Sequence, residues 1–373
     1  MSLPYRLSLV DVVTELPADL ADGAPRTPLI IRGADALRKV TGWTIRHVAE
    51  SYERHGVQAW APAAGGGTRF GPGIDSERVS LRADEIVERV TAGTGADVVY
   101  FPQVSLLKEI AELADDVELP SAIPAQRISD LNLWMGSKDY TTQLHFDMAQ
   151  NLYVQIEGRK RFLLFRPEDF GRIQTGLRGG MHNASAIDPE APDLEAFPEF
   201  AGLDAWEAVL EPGDLLYLPP FWWHQVSGLQ GGVSLSIWWR PAVEDHATAP
   251  ALLHHLRAGT LGGGGIGALL KVFDFTGLSG TDASATALLD LARHLNERGH
   301  HAAAAGLGAA VVRAALDTDN FTAPDERTVR RWLAPAGGGE VTQADVASAL
   351  DELTDPHWTT AFHAAFGRFL VAA

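Results

Sequence analysis

The run Thr142-Gln143-Leu144-His145-Phe146-Asp147 sets an imidazole and a carboxylate two residues apart. On a strand, residues at that spacing project from one face, so both side chains could reach a single metal ion. One more histidine would complete a set of two His and one carboxylate. That set leaves neighbouring coordination positions open, as non-haem Fe(II) oxygenases require. His224 is the candidate. It follows a Glu211-Pro212-Gly213-Asp214 turn, an apolar strand over 215–218, a Pro219-Pro220 stop and the pair Trp222-Trp223, which puts it at a strand mouth, a usual place for a ligand site. Singly, a His-x-Asp pair and a His after two aromatics carry little weight, and only the combination points to chemistry. The remaining histidines, such as His254-His255 and His300-His301, sit in stretches that read as helix or loop.

Composition narrows the available ligands. The 373 residues contain no cysteine, which excludes disulfides, Cys-ligated zinc, iron–sulfur clusters and thiol nucleophiles. Any metal site must use His, Asp and Glu. Acidic residues number 48 against 30 basic ones, a net charge of −18. This disfavours broad contact with nucleic acid or an anionic membrane, both of which need a cationic surface. The expected partner is a peptide, a protein or a small molecule. There is no basic-then-apolar leader and no run approaching about 18 apolar residues, so a cytoplasmic protein is the expectation. Hydrophobic residues at 46% and charged residues at 21% allow a sizeable core.

Three textures must position these residues. Residues 1–95 read as mixed α/β, with a buried strand over 28–33, a helix over 45–52 and a Gly-rich stretch over 63–73. No Gly-Lys-Ser/Thr follows that stretch, so it reads as a hairpin tip rather than a phosphate loop. Residues 96–245 show short apolar or alternating runs split by turn residues, the signature of a sandwich or barrel. Strands are expected over 97–101, 130–136, 141–147, 151–157, 160–165, 214–218 and 232–239, and residues 178–202 read as a long surface insertion. Residues 247–373 are Ala- and Leu-rich with helical periodicity, for example over 283–297 and 302–316. At roughly 150 residues per domain, the length suits two units or one large β domain with an appendage. The division adopted is 1–245 and 246–373.

The run Asn132-Leu133-Trp134-Met135-Gly136, then 142–147, then 151–162 with its Glu157-Gly158-Arg159-Lys160 turn, resembles the central motif of cupin-like JmjC oxygenases. These depend on Fe(II) and 2-oxoglutarate, and the likeness leans toward their asparaginyl-hydroxylase-like protein hydroxylases. Residues 213–224 and Ser234-Leu235-Ser236-Ile237-Trp238-Trp239-Arg240 resemble the closing strands of that family. Tyr100-Phe101-Pro102-Gln103 resembles a stretch that precedes its site. The resemblance covers about residues 25–245.

It implies a mainly β fold, a double-stranded β-helix or jelly roll with flanking N-terminal α/β elements and a C-terminal helical region. His145, Asp147 and His224 would bind Fe(II). Lys160 would pair with the distal carboxylate of 2-oxoglutarate, Tyr100 and Thr142 would hydrogen-bond it, and Asn151 would line the cosubstrate pocket. A buried dicarboxylate needs a fixed cation, because an unpaired buried charge is costly. Asn151, Tyr153 and Gln155 share one strand face, so Tyr153 should point inward, and Gln103, Trp134, Tyr153 and Trp238 would wall the substrate pocket. One departure is visible: the asparaginyl-hydroxylase branch carries an Asn on the last core strand, where this chain reads Ser236-Ile237-Trp238-Trp239. The activity implied is hydroxylation with O2, coupled to decarboxylation of 2-oxoglutarate to succinate and CO2. Two alternatives stand beside it: a cupin-type enzyme using another metal without 2-oxoglutarate, and a non-enzymatic scaffold. The C-terminal helices, with an apolar stripe Phe362, Ala365, Phe366, Phe369 and Leu370, would pack on the barrel or form a homodimer.

Overall fold

Polar and apolar residues alternate along the strand candidates, and a strand sends successive side chains to opposite faces. The computed structural model turns that alternation into two facing sheets. It describes residues 3–239 apart from 19, 21–25, 34–36, 72, 73, 124, 148 and 174–182. The expected C-terminal helices and their dimer stripe lie outside the described residues.

Eight strands build the barrel: β1 (Ile128–Gly136), β2 (Thr141–Thr142), β3 (Gln150–Glu157), β4 (Lys160–Phe165), β5 (Asp204–Leu210), β6 (Leu215–Leu218), β7 (Trp223–Gly228) and β8 (Gly232–Trp239). One sheet runs β6-β3-β8-β1 within a nine-stranded array, and the other runs β5-β4-β7-β2 within a six-stranded one. Successive strands thus change sheet at every step except from β4 to β5, which pair within the smaller sheet, and this is the double-stranded β-helix expected from the resemblance. N-terminal strands extend both sheets, with Arg69–Phe70 beside β2 and Ala59–Pro62, Ser76–Val79 and Tyr100–Ser105 beyond β1.

The chain passes from sheet to sheet between β3 and β4 through Gly158, at φ +77°. A Cβ there would meet Gly231 O at 2.2 Å, so this crossing admits only glycine. Both faces of the larger sheet are covered. Leu152, Val154 and Ile156 on β3, and Val233, Leu235, Ile237 and Trp239 on β8, belong to an outer core. Two helices supply part of its other half. The helix Ile45–His55 buries Ile45, Val48, Ala49 and Tyr52, is capped by the Thr44 hydroxyl and ends at Gly56, φ +65°. The helix Ala83–Ala92 buries Ile86 and Val90, and the Glu85 carboxylate accepts from the Arg82 N–H at its start. The opposite strand positions, including Asn132, Trp134, Asn151, Tyr153, Ser234 and Ser236, face the space between the sheets. Among the described residues no helix is long and apolar enough to cross a membrane.

Three local expectations differ. Residues 141–147 are not one strand: β2 stops at Thr142, because Phe146 N and Leu144 O bond to Asn183 and Ser185 of the 183–200 segment. That segment, expected as a surface insertion, buries Ala184, Ser185, Ile187 and Phe200. The strand expected from 97 begins at Tyr100, since Gly95–Asp97 forms a 3-10 turn.

Candidate metal centre and cosubstrate cavity

The metal-ligand candidates come together without a continuous strand. His145 and His224 form an isolated antiparallel bridge in which His145 N–H donates to His224 O (3.0 Å) and His224 N–H to His145 O (2.6 Å). Asp147, two residues on, accepts at its carbonyl from Phe221 N–H at 2.7 Å. Phe221 adopts φ +68°, a left-handed conformation that a bulky side chain adopts only when its surroundings over-determine it. The two imidazole rings lie 4.2 Å apart and His224 Nε2 is 3.6 Å from Asp147 Oδ2. One ligand atom from each of the three residues lies within 4.8 Å of the others.

The donor set suits a metal. His145 Nδ1 sits 2.7 Å from Gln143 O and His224 Nδ1 2.9 Å from Trp222 O. A carbonyl can only accept, so each Nδ1 carries the proton and each Nε2 keeps its lone pair for a metal. Burial, and then the neighbouring His145, push the His224 pKa down to about 4, with Asp147 pulling the other way. The ring is therefore neutral at ordinary pH, the form that binds metal. Two imidazoles and one carboxylate, with the remaining side open to a cavity, fit a divalent iron site.

That cavity encloses about 450 Å³ between the sheets. All eleven residues singled out in the sequence line it: Tyr100 and Gln103, Trp134, Thr142, the three metal-ligand candidates, Asn151 with Tyr153, Lys160, and Trp238. Gln103 is exposed and lies in a bulge at φ +50°. Trp134 and Trp238 face each other across 6.1 Å.

Lys160 is 1% exposed. Its ammonium donates to Ser234 Oγ at 2.6 Å and Trp134 O at 3.4 Å, and no carboxylate of a described residue pairs with it. Ser234 Oγ in turn donates to Trp134 O at 3.2 Å and is hydrogen-bonded to Tyr153 OH. With its proton on Trp134 O, that hydroxyl accepts from both Lys160 and Tyr153, so its hydrogen-bonding capacity is full. The ammonium has a third proton with no hydrogen-bond partner among the described residues, and its nitrogen lies 5.7 and 5.5 Å from the centres of the Tyr140 and Tyr153 rings. Desolvation alone pushes its pKa from 10.5 down to about 7. Burial likewise raises the Tyr100, Tyr140 and Tyr153 phenols, which stay protonated as donors. Thr142 Oγ1 accepts from Val226 N–H at 2.9 Å, which leaves its own proton to donate elsewhere. Asn151 Oδ1 has no hydrogen-bond partner among the described residues.

Sequence reasoning missed Tyr140, Ser234 and the pair Trp60 and Arg78. Tyr140 stacks on Tyr100 at 4.5 Å in a slot made by two glycines: a Cβ on Gly136 or Gly228 would come within 2.8 Å of its ring. Ser234 had a signal, a serine at every second position of an otherwise apolar strand. Of the tryptophans in the site motifs, Trp134 and Trp238 line the cavity. Trp222 packs between the sheets, and Trp223 and Trp239 turn outward into apolar cores, as strand alternation requires.

A double-stranded β-helix holding two histidines and a carboxylate beside a buried lysine defines a class, the cupin-type mononuclear metal proteins. A family model for the cupin-like domain matches residues 23–245. Similar curated proteins include lysine-specific demethylase 8 of Danio rerio, 32% identical over 164 residues, which cover 43% of this chain and 40% of that protein. The tRNA wybutosine-synthesizing protein 5 of Danio rerio is 34% identical over 135 residues, covering 36% of this chain and 40% of that one. Jumonji C domain-containing protein 5 of Drosophila melanogaster is 30% identical over 150 residues, covering 39% and 37%. The chain belongs to the cupin-like JmjC family of Fe(II)- and 2-oxoglutarate-type oxygenases. It spans about two fifths of the length of these curated relatives.

Proposed function

We propose that this protein is an Fe(II)- and 2-oxoglutarate-dependent hydroxylase acting on a peptide or protein side chain or on a small metabolite. The observation that carries the reading is the pairing, in one cavity, of an open His145–Asp147–His224 cluster with a buried lysine that has no counter-charge among the described residues. An uncompensated ammonium is expensive inside a fold, and a dicarboxylate cosubstrate would supply the missing anion. When bound, iron with 2-oxoglutarate and O2 supplies an oxidant able to break a C–H bond, with succinate and CO2 as coproducts.

The chain's own part is positioning. His145, Asp147 and His224 would hold the metal from one side, with Gln143 O and Trp222 O fixing the two rings. Lys160, held by Ser234, would take the distal carboxylate, and Tyr100 and Thr142 would donate hydroxyl protons to it. Asn151 would line that end of the pocket. Trp134, Tyr153 and Trp238 would exclude water and orient the substrate, with Gln103 at the rim. A metal-only cupin enzyme has no use for a lysine of this kind, which favours the oxygenase reading over that alternative. We assign this activity to residues 1–245, with 246–373 as a separate helical domain.

The test is anaerobic addition of Fe(II) and 2-oxoglutarate, followed by air. A visible metal-to-ligand charge-transfer band and then succinate are expected, both absent in His224→Ala. No band together with no succinate overturns the reading. Intact-mass screening of peptides and metabolites for a gain of one oxygen would then identify the substrate.

A further inference from the structure

The charges around the cavity carry information about the substrate that the metal cluster does not. Asp147 is the one carboxylate among the described residues that line it, and its Oδ2 lies 3.6 Å from His224 Nε2. The cations are Lys160 at the buried end and Arg78 on the exposed strand Ser76–Val79, the outermost strand of the nine-stranded sheet. Arg78 stands directly opposite Trp60 in the strand register, and Trp60 stands opposite Tyr100. The three side chains thus continue one wall from the sheet edge toward the Lys160 end. The Arg78 guanidinium lies over the Trp60 ring at 4.3 Å and makes no ion pair among the described residues. Stacking uses the face of the guanidinium and leaves its N–H edge free for a planar acceptor.

We propose that the substrate carries a carboxylate that docks on Arg78 beside Trp60. The proposal rests on the oxygenase reading and names the substrate class for it. A cationic substrate would meet Arg78 as a like charge and would find no free carboxylate among the described residues of the wall. A phosphate dianion would call for more than one cation, and among the described residues Arg78 is alone at this end of the wall, in a chain of net charge −18. A single guanidinium matches a single carboxylate in charge and in shape.

The test uses the full chain loaded with Mn(II) and saturating 2-oxoglutarate under argon, so that binding is read without turnover. Three pools of short peptides, identical except for one central Glu, Gln or Lys, are compared by equilibrium dialysis and mass spectrometry. The Glu pool should be held about 5-fold better than the Gln pool, the gain of one partly exposed ion pair. Arg78→Gln should abolish that preference, and Arg78→Glu should turn it toward the Lys pool. Equal retention of the pools by the wild type, preference for Lys, or a Glu preference that survives in Arg78→Gln each overturns the proposal. Acetate and inorganic phosphate serve as competitors. Phosphate displacing the Glu pool at lower concentration than acetate overturns the carboxylate assignment. Failure here with succinate still formed leaves the oxygenase reading standing, and a charge preference without succinate faults that reading instead.

Discussion

Replacing Lys160 by methionine tests whether the buried ammonium is held at a cost until an anion arrives. Lys160 is wholly enclosed, its hydrogen-bond partners among the described residues are a hydroxyl and a carbonyl, and desolvation lowers its pKa from 10.5 to about 7. Between those two values the unfolded chain binds more protons than the folded one, so the ligand-free fold gains stability as pH rises through that window. At about 1.4 kcal/mol per pKa unit, enclosing the lysine costs between about 4 and 5 kcal/mol below pH 7, and almost nothing above pH 10.5. Methionine keeps an unbranched stem and removes the titration. Urea denaturation of the metal-free protein, followed by tryptophan fluorescence, should find Lys160→Met more stable than the wild type at pH 7. That advantage should shrink by about 3 kcal/mol by pH 10. Adding Mn(II) and 2-oxoglutarate should flatten the wild-type profile, because a carboxylate beside the ammonium restores its proton affinity. A difference between the two proteins that stays constant from pH 7 to 10 would refute the reasoning.

Other substitutions probe the neighbouring parts. His224→Ala removes one of three donors and should weaken Mn(II) binding by about 100-fold or more by calorimetry, with little change in circular dichroism. Ser234→Ala strips Lys160 and Tyr153 of their shared partner. It should cost about 2 kcal/mol of stability and raise the apparent KM for 2-oxoglutarate more than it lowers kcat. Gly136→Ala sets a methyl 2.7 Å from the Tyr140 ring and should cost about 1–3 kcal/mol by overpacking, read as a lower thermal midpoint.

Much of this architecture is written locally. Period-two alternation over 130–136, 151–157 and 232–239 already separates an apolar face from one bearing Asn132, Asn151, Ser234 and Ser236, because a strand's geometry follows from its backbone alone. The His145 and Asp147 spacing and the Lys160 position beyond the Gly158 turn were legible for the same reason. The helix over 45–52 was legible from its apolar spacing, and its end shifted only to His55, where Gly56 caps it.

Other features depend on partners distant in sequence. Whether 141–147 forms one strand was decided by residues 183–185, which take its hydrogen bonds, and no local pattern announces that competition. The inward turn of Trp134 and Trp238, against the outward turn of Trp223 and Trp239, was set by register across the barrel. The slot for Tyr140 needs Gly136 and Gly228, nearly a hundred residues apart, to lie on either side of one ring. The sequence alone determined the residue types, the strand period and the absence of any thiol ligand. Only the tertiary structure decided that the metal-ligand candidates, a lysine without a counter-ion and Arg78 on Trp60 share one cavity, because a cavity is a property of two sheets closing on each other rather than of any one strand.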